Sequence, residues 1–413
     1  MTTPSPVSAA GNSRLRKIET IVLLALMTSL TGLSIDIMLA AMPDIGAAFS
    51  GSKAADIHLI VPILIVGMVF GELVFGPLSD AIGRKNALFI GIAIYCAGTI
   101  VVLVAPSLEI VLLGRLIQGI GVSGPKIATR AMIRDLYVGD AMARIMSFIL
   151  LMFILVPMLA PALGQMITHL TSWRGTFAFL LIFSVAITIW FAIRRAETLA
   201  PEKRIPIAPR TLFHNAVAII TDFQVMAYAI SGGLVFGALL TYASLAQSVF
   251  QDIYNTGTLF PLYFAIMSLS LGLASILNSQ LVMRIGAYRM TAIAALLLIS
   301  VSTITFIVIL LTNGTLPLPI FMGLYFICFF CFGVMFGNLG ALAMVHLGHI
   351  AGIGSSVIAS VSSLVGALVS MIGVAFYDQT LIPLTAVINV TGLLSFLLIM
   401  AAGRVATRQS QAV

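Results

Sequence analysis

The sequence predicts an all-α membrane protein: twelve spanning helices in two six-helix bundles, with both termini on the cytoplasmic side. Three observations lead there. Of 413 residues, 60% are hydrophobic and 8% charged, with a mean hydropathy of +1.15. Soluble domains carry about 25% charged residues, so a chain this apolar has lipid as its solvent. The apolar residues fall in continuous runs of spanning length and lack the alternation of a barrel strand. The Lys and Arg residues gather in alternate loops.

A bilayer-crossing helix needs roughly 20 mostly apolar residues. Twelve segments qualify: 19–42, 57–80, 86–105, 109–133, 141–167, 175–194, 217–249, 257–282, 288–311, 316–345, 350–377 and 381–402. The first follows a Pro/Ser/Ala-rich and then basic stretch, and it is too long for the apolar core of a signal peptide, so it reads as an uncleaved span. The second and third are joined by a very short link and must be antiparallel neighbours. The long polar link 194–216, rich in Pro and charge, divides the runs six and six. The expected organisation is therefore a bundle at 1–193, a cytoplasmic linker at 194–216 and a second bundle at 217–413.

Charge orients this arrangement. With both termini inside, most of the 21 Lys and Arg residues lie in cytoplasmic segments. They include Arg84 and Lys85, Arg130 and Arg134, Arg194 and Arg195, Arg284 and Arg289, and Arg404. Only Lys53 and Arg174 fall in the opposite loops, while Arg115 and Lys126 fall within a helix. That asymmetry fixes topology and explains the net charge of +7 without nucleic acid as a partner.

Several chemistries are excluded. No GxxxxGK[ST] loop is present to cradle a nucleotide, and there is no HExxH and no Ser/His/Asp arrangement in a polar cleft, so no enzyme and no cofactor is expected. Cys328 and Cys331 form a CxxC inside YFICFFCFG, where buried small core residues are the simple reading, as for Cys96. His346 and His349 are spaced i, i+3 at a helix end and read as solvated loop imidazoles rather than metal ligands.

The stretch GPLSDAIGRKN at 76–86 sits between the second and third runs. Gly76 and Gly83 permit close backbone approach, Pro77 kinks the helix end, and Arg84 and Lys85 satisfy the inside rule. NSQLVMRIGAYR at 278–289 occupies the matching place in the second half and repeats Ile-Gly followed by a basic residue. Such repetition is expected of transporters built from related bundles.

GPLSDAIGRKN resembles the loop signature of the major facilitator superfamily, G-x-L-x-D-R-x-G-R-[RK], at Gly76, Leu78, Asp80, Gly83, Arg84 and Lys85. Ala81 departs from it, where the family usually has a basic residue. LSIDIMLAAMPDI (33–45) is similar to the first-helix signature of Bcr/CflA-type drug:proton antiporters at Asp36 and Pro43. GRLIQGIG with TRAMIRDLY resembles the fourth-helix signature at Arg115, Gln118, Arg130, Arg134 and Asp135. VPMLAPALGQ resembles the antiporter signature of helix five at Pro161 and Gly164. The resemblance implies a monomeric, multi-pass transporter of the cell inner membrane with the 76–85 loop as conformational gate. It implies proton-driven export of small amphiphilic compounds by alternating access, as in multidrug efflux and antibiotic resistance. Its partners would be the small-molecule substrate, protons and the lipid bilayer, with no metal.

Charges within the runs are the remaining candidates. An ionisable residue at the bilayer centre costs about 2.5–3.5 kcal/mol on insertion scales, so it has a partner or lines a cavity. Asp36 and Glu72 are the expected proton-coupling carboxylates. Glu72 lies about 12 Å along its helix from Asp80. Arg115, Gln118 and Lys126 share one stripe of the fourth helix, the two cations about 16 Å apart, and are expected to set the polarity of a substrate cavity. Tyr242, Tyr263, Phe264 and Phe332 are candidate apolar lining. Lys126 could neutralise Asp36 or Glu72, or it could anchor an anionic substrate. The second choice would make the protein an importer or facilitator of an anionic metabolite. A non-transporting receptor or scaffold is the third reading.

Overall fold

The computed structural model describes residues 6–49, 54–137, 140–206, 208–345, 347 and 351–411; Lys53, His346 and His349 lie outside them. The described residues are helical throughout, without a β-strand. The helices are α1 (Pro6–Asp36), α2 (Met42–Ala48), α3 (Ala54–His58), α4 (Ile60–Ile82), α5 (Arg84–Leu103), α6 (Leu108–Leu136), α7 (Asp140–Leu170) and α8 (Trp173–Arg194). They continue with α9 (Pro209–Thr221), α10 (Phe223–Ser248), α11 (Phe260–Ile285), α12 (Ala287–Leu311), α13 (Leu318–Met344), α14 (Ala351–Ala375) and α15 (Ile382–Gln411). Among the described residues, 11 helices are long and apolar enough to cross a membrane. Helix α7 adds 31 residues, of which Leu155–Leu170 form a shorter apolar stretch within the described portion.

Two expected runs end elsewhere, for local reasons. The first, read as 19–42, breaks after Asp36 into a 3-10 turn at Leu39–Ala41 and the short α2. Pro43 lacks an N–H, and its ring would clash with the Leu39 carbonyl in a continuous helix. The seventh, read as 217–249, is divided at Asp222. The Asp222 carboxylate accepts from the Gln224 and Val225 amides at 2.9 and 3.0 Å, capping α10, so residues 217–221 belong to α9.

Helices α1 and α4–α8 pack mainly on one another, and so do α10–α15. Between the groups, α4 lies against α14 and α7 against α11. The echo seen in the sequence is a repeated backbone turn. Gly83, at φ 102° and ψ 155°, joins α4 to α5, and Gly286, at φ 89° and ψ 144°, joins α11 to α12. Both sit in the left-handed region that favours glycine.

Glycine also sets how closely the helices of the first group approach. A Cβ on Gly119 would lie 1.9 Å from the Leu64 carbonyl oxygen, and one on Gly67 would lie 2.1 Å from that of Leu116. Helices α4 and α6 are thus in backbone contact, as small residues permit in membranes. Gly323 of α13 has nothing within 4 Å of such a Cβ. Gly119→Ala is therefore expected to lower the melting temperature of the detergent-purified protein, because overpacking of this kind costs about 1–3 kcal/mol or more. Gly323→Ala should leave it equal or raise it, since alanine is the better helix former. Equal melting temperatures for Gly119→Ala and wild type would contradict the contact.

Candidate functional site

A cavity of about 270 Å³ opens between the two helix groups. Its first-half wall comes from α1 and α7, through Thr28, Ser29, Gly32, Asp36, Val156 and Pro157. Its second-half wall comes from α10, α11 and α13, including Tyr242, Phe264, Phe329 and Phe336. Tyr242 stacks on Phe264 at 5.8 Å between centroids and stands edge-on to Phe329 at 4.6 Å. Of the aromatics read as candidate lining, Tyr242 and Phe264 face the cavity; Phe332 is buried in the core, and Tyr263 stacks on Phe250 at 5.4 Å.

Asp36 is the cavity's one ionisable acid among the described residues. It is 6% exposed, and its carboxylate makes no hydrogen bond or ion pair with any described residue. It stands at the last residue of α1, where the Pro43-driven break begins. Gly164 of α7 holds that break from the other side, since a Cβ there would lie 1.8 Å from the Ile37 carbonyl oxygen. Pro161 is buried one turn earlier on α7. Of the two helix-five signature residues, Gly164 therefore permits the close approach of α7 to the backbone next to Asp36.

The other four helix residues of the expected site lie elsewhere. Arg115 is fully buried inside the first group. Its guanidinium donates from Nη2 to the Ser34 carbonyl at 2.8 Å, from Nε to the Ile60 carbonyl at 3.2 Å and from Nη1 to Gln118 Oε1 at 2.9 Å. Gln118 Nε2 donates onward to Thr99 Oγ1 at 2.7 Å. This network ties α1, α4, α5 and α6 together, and neither residue lines the cavity. Lys126 reaches Glu72 of α4, Nζ to Oε1 at 2.5 Å, and the second Glu72 oxygen accepts from Ser363 Oγ of α14 at 2.9 Å. The Glu72 side chain is fully buried, and that of Lys126 is 16% exposed. The pair lies at the α4–α14 contact rather than in the cavity wall.

Residues 76–85, expected as a loop with Pro77 at the helix end, instead run through the last turns of α4, with Pro77 inside the helix, and into α5 across Gly83 alone; they form a dense polar site. Arg84 pairs with Asp80 and donates to Ser79 Oγ and to Asp135 Oδ2, each at 3.1 Å. Asp80 also faces the start of α14, its Oδ2 3.5 Å from where a Gly352 Cβ would stand. Gly76 packs on Ser356 of the same helix. A residue the sequence did not single out completes the loop. The Glu197 carboxylate accepts the backbone amides of Arg84 and Lys85, each at 3.0 Å, at the N-terminus of α5. Such a carboxylate answers both the free amides and the positive end of the helix dipole. Lys85 Nζ donates in return to the carbonyls of Ala192 and Arg195 at the end of α8. A Cβ on Gly83 would lie 2.4 Å from Glu197 Oε2 and 3.3 Å from Arg204 Nη2. The only sequence signal for Glu197 is an acid within a basic linker.

These contacts strap 195–205 to the first group, with the Ile205 amide donating to the Asp80 carbonyl at 3.1 Å. By contrast, α9 packs on α10 and α14 of the second group. Glu197→Ala should release the strap and speed tryptic cleavage after Arg204 several-fold in the detergent-purified protein. Unchanged cleavage would argue against Glu197 as its anchor.

The major facilitator superfamily model matches residues 24–370. An uncharacterized transporter of this type from Bacillus subtilis, YdgK, is 29% identical over 91% of this chain and 93% of its own. A bicyclomycin resistance protein homolog from Haemophilus influenzae is 26% identical over 88% and 91%. Multidrug resistance protein D of Escherichia coli is 24% identical over 61% and 66%. Among solved structures, the xylose transporter XylE from E. coli shares the fold, with a TM-score of 0.71 over 93% of this chain and 97% of its own at 14% identity. A peptide transporter bound to sulfate does so with 0.72 over 94% of both chains at 15% identity. The chain belongs to the major facilitator superfamily, as a multi-pass transporter rather than an enzyme, and its drug-resistance relatives are consistent with the Bcr/CflA-type branch.

Proposed function

We propose that the protein is a proton-coupled exporter of small amphiphilic compounds, working by alternating access between two six-helix halves, 1–193 and 217–413, joined by the 194–216 linker. In this reading it is a twelve-span monomer of the inner membrane with cytoplasmic termini. One observation carries the proposal: Asp36 is a buried carboxylate without a partner among the described residues, set in a mainly apolar and aromatic wall between the halves. A carboxylate's proton affinity follows its surroundings, so one that faces first water and then a closed cavity binds and releases a proton as the halves move. The aromatic wall suits an amphiphilic body. Relatives named for resistance to bicyclomycin, to chloramphenicol and to multiple drugs support the substrate class.

The other residues take supporting roles here. Asp80, Arg84 and Lys85, with Gly76 and Gly83, form the gate that opens and closes against α14. Pro161 and Gly164 hold the α1 break beside Asp36. Glu72 is the second proton-coupling carboxylate, and Arg115 with Gln118 gives the first half its rigidity. An anionic substrate would need Lys126 in the cavity, and the ion pair with Glu72 weighs against that reading.

Reconstituted vesicles with an acidic lumen should accumulate ethidium, and Asp36→Asn should reduce that uptake to background while ethidium still binds. Uptake by Asp36→Asn equal to wild type would sink the coupling role. The Glu72–Lys126 pair has its own test. Lys126→Met leaves a buried carboxylate without its paired ammonium and should cost about 3–5 kcal/mol, read as a lower melting temperature. Adding Glu72→Gln should recover much of that loss, because the two changes share one interaction.

A further inference from the structure

Among the described residues, three glycines line the cavity: Gly32 of α1, and Gly333 and Gly337 of α13. Glycine inside a helix is less stable than alanine, so each calls for a reason. Two find it in packing. A Cβ on Gly32 would lie 2.9 Å from Val156 Cγ1, and one on Gly333 would lie 2.7 Å from Ala274 Cβ and 3.0 Å from the Leu271 carbonyl oxygen. Gly337 has no such reason. It is exposed, a Cβ there would meet nothing within 4 Å, and its backbone lies outside the left-handed region. Phe329, Gly333, Phe336 and Gly337 follow one another at i, i+4, i+7 and i+8, which places Gly337 on the face of α13 that forms the wall.

The rest of the wall leaves discrimination largely to shape. Thr28, Ser29 and Ser268 give their hydroxyl protons to the carbonyls of Leu24, Leu26 and Phe264 in their own helices. No Lys, Arg or His lines the cavity among the described residues, and Asp36 is its one carboxylate. Most of what a ligand meets is hydrocarbon and aromatic ring, and such walls sort ligands by the room they leave. Sites for drug-sized ligands start at about 300 Å³. This cavity holds about 270 Å³, so one added side chain changes what fits.

We propose that Gly337 is the specificity-determining position of the cavity: the side chain it lacks is the room in which a broad, multi-ring substrate lies against α13. The proposal rests on the exporter reading above. A bare helix backbone lets the face of a fused ring system approach where a side chain would hold it off. Glycine can also mark a point where a helix bends. Volume separates the two roles. Alanine removes the flexibility and leaves most of the room, whereas leucine removes both. Gly323, on the same helix, is equally open but does not line the cavity, so it serves as the control.

The test reads binding apart from transport. Calorimetry on the detergent-purified full chain would give dissociation constants for ethidium, with three fused rings, and for trimethylphenylammonium, a cation with one ring. Gly337→Ala should weaken ethidium binding about threefold and Gly337→Leu about tenfold or more, with the one-ring cation changed less than about twofold. Gly323→Leu should leave both constants at their wild-type values. Melting temperatures of the Gly337 variants should equal or exceed that of wild type, because the added carbons meet no neighbour and both residues are better helix formers. A lower melting temperature would deny the open space on which the proposal rests. Ethidium affinity of Gly337→Leu equal to wild type, an equal loss in Gly337→Ala and Gly337→Leu, or an equal loss for both cations would overturn it. Ethidium bound in the expected pattern but not accumulated by acidic-lumen vesicles would sink the exporter reading and leave Gly337 as the size filter of a binding cavity.

Discussion

A helix bundle in lipid keeps a charge only where another group answers it. The insertion penalty of a few kcal/mol per charge is repaid by partners inside the protein, because no water is at hand. Most of this architecture follows from how each charge is answered. Arg115 is satisfied by two carbonyls and Gln118, and in doing so fastens α1, α4 and α6. Lys126 and Glu72 answer each other and borrow Ser363 from the second half. Asp36 has no described partner, and it is the one that faces the cavity.

The same accounting extends to the turn between α4 and α5. Two amides at the start of α5 are free by the geometry of any helix N-terminus, and Glu197 takes both. That choice decides the fate of the linker. Its first part becomes an extension of the first half, its helix α9 rests on the second, and the change of allegiance falls between residues 205 and 209. Arg204 brings a cation to the Gly83 turn, its Nη2 3.3 Å from where a Gly83 Cβ would stand.

Much of the fold was legible in the sequence because lipid imposes a simple rule: long apolar runs are helices, and basic loops mark one face. The glycine-marked turns at 83 and 286 were visible as an Ile-Gly echo, because only glycine tolerates that backbone. The break after Asp36 was less so, although Pro43 was in view, because apolar composition runs straight through it.

The site divides in the same way. Sequence by itself determined which residues are chemically exceptional: Asp36, Glu72, Arg115 and Lys126 stand out because charge is rare in apolar runs. It could not say which of them meet, because a helix stripe gives direction around an axis and not the identity of the neighbour. Arg115 and Lys126 share one face of α6, yet one is enclosed within the first half and the other turns to Glu72 at the boundary with the second. Only the tertiary structure decided that, through the glycine contacts that bring α4 onto α6 and set α14 against α4. Partnership between charges depends on distances of about 3 Å, and such distances are fixed by packing between helices far apart in the chain.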